Sequence, residues 1–160
     1  MSVLGDVRVR SAVLVAVAVL VTDQVTKAAV AETFVLHESV ALTPFFSLTY
    51  LRNAGAAFGL FAAAPPAVRY PFFVILTVVA IGALIAFVRR TPADAHGVVA
   101  ALGGILGGAV GNLVCRLRFG EVIDFLDVHW GDLHWPAFNV ADSAISVGVV
   151  VVMLDALRRR

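Results

Sequence analysis

Four stretches of this sequence are long enough and apolar enough to cross a lipid bilayer as α-helices. A helix needs about 20 predominantly apolar residues to span the hydrocarbon core, and the stretches cover residues 11–31, 67–88, 97–117 and 138–157. The chain of 160 residues is 61% hydrophobic and only 14% charged, whereas soluble domains are about half apolar and a quarter charged. We therefore predict an all-α membrane protein with four transmembrane helices, folded as a single domain over residues 1–160.

The first apolar stretch has a second interpretation, as a cleavable signal peptide. Arg8 and Arg10 precede the apolar residues 12–21, and the small residues 29–31 resemble a cleavage site. The polar residues 22–24 end the apolar run well before those small residues, which favours a membrane span.

Basic residues predict how the helices are oriented. If four spans alternate, one side of the membrane receives Arg8, Arg10, Arg89, Arg90, Arg158, Arg159 and Arg160, and the other receives Arg52, Arg69, Arg116 and Arg118. Cytoplasmic loops carry the excess of Lys and Arg, so both termini are predicted to be cytoplasmic. The start of the fourth span then lies at the outer face.

The connection between the first two spans, about residues 34–61, is too long for a tight turn. Within it, residues 46–51 partly alternate and include aromatic and β-branched side chains, which is typical of a short strand. Turn-forming and small residues follow at 53–59. We predict a small β-element on the outer surface of the membrane.

Several classes of function are disfavoured. A net charge of +1 argues against a nucleic-acid partner, which calls for a basic stripe. Cys115 is the single cysteine, so neither an intrachain disulfide nor a cysteine metal cluster can form. The four histidines lack the HExxH spacing of a zinc peptidase, and Ser143 and Ser146 lack a spaced base. We predict no metal and no cofactor.

Two polar pairs stand four residues apart in the apolar spans, so each pair shares one helix face. Asp23 and Lys27 can neutralise each other as a structural pair or take part in function, because charged groups in membrane helices mark functional sites. Asn112 and Arg116 end the third span, where Arg116 either extends to the interface or holds a carboxylate or carbonyl. Glycines on this span let a neighbouring backbone approach closely: Gly103, Gly104, Gly107, Gly108 and Gly111.

Asp142 lies a few residues into the fourth span. If Asn139 is the N-cap of that helix, Asp142 occupies the third helical position of a capping-box-like arrangement, where the helix dipole also favours a negative charge. A second acid could join it from the preceding segment. Spacing alone does not choose between Asp124, Asp127 and Asp132, each of which could equally be a solvated loop acid.

A pair of carboxylates would supply a specific chemistry. Two of them held close together in a site of low dielectric cannot both ionise comfortably. The protonated one can donate a hydrogen bond to a substrate carbonyl, while the ionised one takes a proton from a water held between them. The helix dipole favours an ionised Asp142, so Asp124 is our choice for the protonated partner.

Five blocks of the sequence, in order, resemble the lipoprotein signal peptidase (signal peptidase II) family across nearly the whole chain. The blocks are Thr22-Asp23-Gln24-Val25-Thr26-Lys27, residues 52–59 (RNAGAAFG), residues 107–113 with Arg116, Val122-Ile123-Asp124-Phe125, and Phe138-Asn139-Val140-Ala141-Asp142. Each block is weak alone, but their order and their placement on the predicted helices and loops are specific.

The resemblance implies an aspartic endopeptidase of the bacterial inner membrane with a site near the periplasmic face. Such enzymes remove signal peptides from prolipoproteins, cutting before the diacylglyceryl-modified cysteine. The catalytic aspartates carry over onto Asp124 and Asp142, and the supporting residues onto Asp23, Lys27, Asn53, Gly55, Asn112, Arg116 and Asn139. The implied partners are diacylglyceryl-modified prolipoproteins, membrane lipids and inhibitors of the globomycin type.

One position departs from the family pattern, which usually has Asp where this chain has Cys115. That change leaves the role of Arg116 less constrained, and we interpret Cys115 as a small buried hydrophobe rather than a reactive thiol. We also expect the substrate's signal helix to lie against the glycine-lined side of the third span.

Two alternatives compete with the peptidase. A small ion- or proton-coupled transporter could use Asp23, Lys27, Asp124 and Asp142 as a relay, although these groups cluster at one end of the predicted bundle. A non-catalytic assembly factor or an inactive homologue would keep the same fold.

Overall fold

The computed structural model describes residues 6–55, 61 and 63–159, and within these residues four helices are long and apolar enough to cross a membrane. They are α1 (Val7–Thr33), α2 (Pro66–Arg90), α3 (His96–Phe119) and α4 (Val140–Arg158). Each contains or nearly contains one predicted span, so the prediction of a four-helix membrane fold is confirmed.

Local sequence explains where the helices begin and end. Asp6 caps α1 by accepting a hydrogen bond from the backbone of Arg8, and Pro66 begins α2, where the missing N–H of proline has no cost. Gly120 ends α3 in the left-handed conformation, with φ 74°, which glycine adopts without strain. Asn139 caps α4, as predicted.

The third helix lies at the centre of the bundle and uses its glycines to do so. A Cβ at Gly103 would lie 2.6 Å from the carbonyl oxygen of Ala12 on α1, and one at Gly108 would lie 2.5 Å from that of Ala141 on α4. The glycine faces are therefore filled by α1 and α4. Our expectation that a substrate helix lies against them is wrong, because no side of this stripe is left open.

The two ends of the bundle differ in character. At one end, Arg8 of α1 donates a hydrogen bond to the backbone oxygen of Thr91, just after α2, and the arginines that end α2 and α4 also lie there. At the other end, α3 stops and α4 starts beside a sheet. The predicted segregation of basic residues therefore corresponds to opposite ends of the folded bundle.

The sheet is larger than the predicted β-element. It has four antiparallel strands in the order β1 (Ser39–Thr43), β2 (Phe46–Asn53), β3 (Val122–Trp130) and β4 (Leu133–His134). The first two strands confirm the β-element predicted between the first two spans. The sequence analysis missed β3 and β4, which pair across the long gap between α1 and α4. Tyr50, Ile123 and Phe125 pack with Val30 of α1 and fasten the sheet to the bundle.

Candidate active site

Two aspartates from separate elements line one cleft at the sheet end of the bundle. Asp124 lies on β3 and Asp142 lies in the first turn of α4, and both border a cavity of about 530 Å³. Asn139 joins them: its side-chain amide donates to Asp124 Oδ1 at 2.7 Å, and its backbone N–H donates to Asp142 Oδ2 at 3.2 Å. The structure therefore brings these two acids together at a surface that a substrate can reach.

The other two candidate partners of Asp142 lie elsewhere. Asp127 is three residues along β3 from Asp124, so the two side chains point to opposite faces of the sheet. Its carboxylate contacts His134 Nδ1 at 2.9 Å. Asp132 is exposed in the turn after β3. Only the register of the folded strand distinguishes these acids.

Asn139 holds Asp142 as well as Asp124. Its side-chain oxygen accepts the backbone N–H of Asp142 at 3.0 Å, while the Asp142 carboxylate accepts the backbone N–H of Asn139, which completes a capping box. A fully buried asparagine at the N-cap thus fixes the first turn of α4 and orients a carboxylate on the neighbouring strand.

Asp124 is buried and is held by amide groups. Asn53 on β2 donates to Asp124 Oδ2 at 3.0 Å, and the Asn53 side-chain oxygen accepts the N–H of Gly55 at 3.0 Å, which orients the asparagine within a tight turn. Burial raises the pKa of Asp124 to about 7, the negative charge of Asp142 adds to this rise, and the hydrogen bonds from Asn53 and Asn139 oppose it. This carboxyl therefore gains or loses its proton near neutral pH.

Asp142 is connected to a buried ion pair through one amide. Asn112 on α3 donates to Asp142 Oδ1 at 2.8 Å and accepts a hydrogen bond from Lys27 Nζ at 2.8 Å. Lys27 also forms an ion pair with Asp23 Oδ2 at 2.9 Å, and both charged side chains are buried. The predicted pairing of Asp23 with Lys27 is present, and it places a positive charge one amide away from Asp142.

Asp23 also contributes to the start of α4. Its second oxygen, Oδ1, accepts the backbone N–H of Ala141 at 2.9 Å. The first N–H groups of a helix have no partner within the helix, so α1 supplies a cap that α4 does not itself provide. The helix that carries Asp142 is therefore fixed by Asn139 from its own chain segment and by Asp23 from α1.

Gln24 is a site residue that the sequence analysis did not single out. Its amide donates to Asp23 Oδ2 at 2.9 Å and to the backbone oxygen of Gly111 at 3.1 Å. A Cβ at Gly111 would lie 2.5 Å from Asp23 Oδ2, so this glycine leaves the space that Asp23 occupies. The signal was available: Gln24 is a polar residue within an apolar span, next to the charged pair.

Arg116 lies beside the cleft and is held by an aromatic ring and a carbonyl. Its guanidinium lies 4.8 Å from the ring centre of Phe73 on α2, and it donates to the backbone oxygen of Gly55 at 3.4 Å. It is close enough to both aspartates to interact with their charges. Cys115 is a free, buried thiol, as predicted.

Comparison with known proteins assigns the family. The sequence profile of the family described as signal peptidase (SPase) II matches residues 15–158. The chain is 50% identical over 150 residues to the lipoprotein signal peptidase of Syntrophotalea carbinolica, covering 93% of this chain and 92% of that protein. It is also 50% identical over 140 residues to the lipoprotein signal peptidase of Geobacter sulfurreducens, with coverage of 87% and 86%.

Solved structures support the same relationship. Two structures described as bacterial membrane enzymes superpose with TM-scores of 0.82 and 0.81, at 33% and 32% sequence identity. They cover 92% and 93% of this chain, and 87% and 94% of their own chains. With a family profile over nearly its full length, relatives at half identity and the same fold, this chain belongs to the signal peptidase II family.

Proposed function

We propose that this chain is an aspartic endopeptidase of the bacterial inner membrane. It removes signal peptides from prolipoproteins by cutting before the diacylglyceryl-modified cysteine, with Asp124 and Asp142 as the catalytic pair. The observation that carries the proposal is the meeting of these two carboxylates on one cleft, joined by Asn139. Membership of a peptidase family gives no support to the transporter alternative.

The surroundings of the two acids suit different protonation states. Asp142 lies at the positive end of the α4 dipole and accepts hydrogen bonds from two N–H donors, on Asn112 and Asn139. Lys27 places a positive charge behind Asn112. Asp124 is desolvated and has a pKa of about 7, so it carries the proton for a large part of the time at neutral pH.

The reaction follows from that assignment. The ionised Asp142 takes a proton from a water held between the two acids, and the water oxygen attacks the scissile carbonyl carbon. The protonated Asp124 donates to the carbonyl oxygen as it becomes negative. When the carbon–nitrogen bond breaks, Asp142 gives its proton to the leaving amine and Asp124 recovers its own. No metal or covalent intermediate takes part.

The supporting residues keep this geometry. Asn53 and Asn139 orient Asp124, Asn112 and Lys27 orient Asp142, and Asp23 holds the start of α4. Arg116 and the Gly55 turn form the neighbouring wall, where they can align the extended cleavage segment of the substrate. Phe73 supports Arg116 in place of an acid at position 115.

The location of the cleft suits a lipidated substrate. Its polar residues lie at the sheet end of α4, while Ile145 and Val147 continue the same wall along the helix. The acyl chains of the modified cysteine can stay in the bilayer while the scissile bond reaches the acids. Both termini are cytoplasmic in this proposal, the cleft faces the periplasm, and inhibitors of the globomycin type occupy the substrate's place.

The test uses the purified chain and a synthetic prolipoprotein, prepared with and without its diacylglyceryl group. We expect mass spectrometry to find a new N-terminus at the lipidated cysteine and little cleavage of the unlipidated peptide. A serine-directed fluorophosphonate should leave cleavage intact, because the proposed pair contains no nucleophilic side chain. Cleavage at another bond, or equal cleavage of both peptides, would refute the assigned substrate, and inhibition by the fluorophosphonate would refute the aspartic class.

A further inference from the structure

The hairpin formed by β3 and β4 has one exposed apolar face. Trp130 pairs directly with Leu133, and the backbone N–H of Trp135 donates to Val128 at 2.8 Å. Side chains two residues apart on a strand share a face, so these four side chains lie together. Their exposed fractions are 42% for Val128, 83% for Trp130, 78% for Leu133 and 60% for Trp135.

The opposite face of the same hairpin is polar and internally bonded. The rings of His129 and His134 stack with centres 4.9 Å apart. His134 contacts Asp127, and His129 Nε2 lies 3.0 Å from the hydroxyl of Ser47 on β2. The hairpin is thus amphipathic, with its polar groups paired and its large apolar groups presented outwards.

The apolar face adjoins the part of the protein that lipid surrounds. Trp135 borders the same cleft as Val147 of α4, and Val147 is 65% exposed on a membrane-spanning helix. Tryptophan is enriched at the boundary between lipid headgroups and acyl chains, where its apolar ring and its N–H donor are both accommodated. Both tryptophans of the chain lie on this face.

We propose that this apolar hairpin face (Val128, Trp130, Leu133 and Trp135) docks into the headgroup boundary of the outer bilayer leaflet. Because β3 carries both this face and Asp124, docking holds Asp124 at a set depth beside the membrane. The partner is the phospholipid surface itself, and the argument depends on the membrane fold and not on the proposed reaction.

Tryptophan fluorescence tests the proposal directly, since no other tryptophan contributes to the signal. The full chain is placed in nanodiscs, one copy per disc, made from phosphatidylcholine brominated either near the headgroup or deep in the acyl chains. Trp135→Phe leaves Trp130 as the single reporter, and Trp130→Phe leaves Trp135. We expect shallow bromines to reduce Trp130 emission more than deep ones, and aqueous iodide to have little effect.

Two results would overturn the proposal. Strong quenching of Trp130 by iodide without quenching by brominated lipid would place the face in water. Protection from both quenchers would mean that protein covers it. Leu133→Gln should weaken lipid quenching of Trp130, whereas Leu42→Gln, an exposed apolar position on β1, should not. Equal effects of the two substitutions would also contradict docking through this face.

Discussion

Replacing Gly111 by alanine tests how α1 positions the helix that carries Asp142. The added Cβ would lie 2.5 Å from Asp23 Oδ2 and 3.1 Å from its Cγ. Asp23 cannot simply turn away, because Lys27, Gln24 and the backbone of Ala141 all donate to its carboxylate. Relief of the clash therefore requires the loss of at least one of these bonds.

The structure gives the size of the effect. Overpacking costs about 1–3 kcal/mol, and a hydrogen bond to a charged group contributes about 1.5–3 kcal/mol. The better helix propensity of alanine returns about 1 kcal/mol. We expect Gly111→Ala to destabilise the protein by roughly 2–4 kcal/mol. If Asp142 shifts by about 1 Å with the start of α4, turnover should fall about a hundredfold.

Gly104 on the same helix provides the matched control. A Cβ there would meet nothing nearer than the Ala144 oxygen at 3.8 Å, so Gly104→Ala should be neutral or stabilise by up to about 1 kcal/mol. Unfolding of both variants is followed in one detergent, and turnover is measured with the lipidated peptide. A Gly111→Ala protein as stable and as active as Gly104→Ala would refute the role assigned to the Asp23 carboxylate.

Three further predictions concern the groups around the acids. Asn139→Ser keeps an N-cap oxygen but loses the amide bond to Asp124, so stability should change by less than about 1 kcal/mol while turnover falls; a matching large loss of stability in urea unfolding would contradict this. The folded-state pKa of Asp124, about 7, lies above its ordinary value of 3.8, so the folded protein holds a proton that the unfolded chain releases between these values. Stability relative to Asp124→Asn should therefore fall as the pH rises from about 4 to 7, and a difference in melting temperature that is independent of pH would exclude the raised pKa. Lys27→Met leaves the Asp23 carboxylate buried without its cation and should cost about 3–5 kcal/mol, whereas the double variant Lys27→Met with Asp23→Asn should recover part of that loss; a double variant no more stable than Lys27→Met would contradict the pairing.

Much of the helical fold could be predicted because its signals are local. The apolar spans, the basic ends and the Asn139 cap each depend on a few neighbouring residues. The strands β3 and β4 were missed because their partner, β2, lies about 70 residues earlier in the chain. An apolar, β-favouring stretch such as residues 122–125 does not by itself indicate which strand it will join.

The site was predictable as a set of residues but not as a geometry. Sequence spacing could not separate Asp124 from Asp127, because the face of each side chain depends on the register of β3 with β2. Likewise, the glycines of α3 indicated close packing but not which helices would fill it. The contact between Asp23 and Ala141 joins residues 118 positions apart, beyond the reach of any local pattern.

The central claim is that Asp124 and Asp142 act together on one water, and the most direct measurement is cleavage of the diacylglyceryl-modified prolipoprotein by purified single variants. Asp124→Asn and Asp142→Asn should each lower turnover by at least about a hundredfold. Asp127→Asn, which changes the acid on the opposite face of β3, should retain activity. Cleavage at close to the parental rate by either Asp124→Asn or Asp142→Asn would contradict the account.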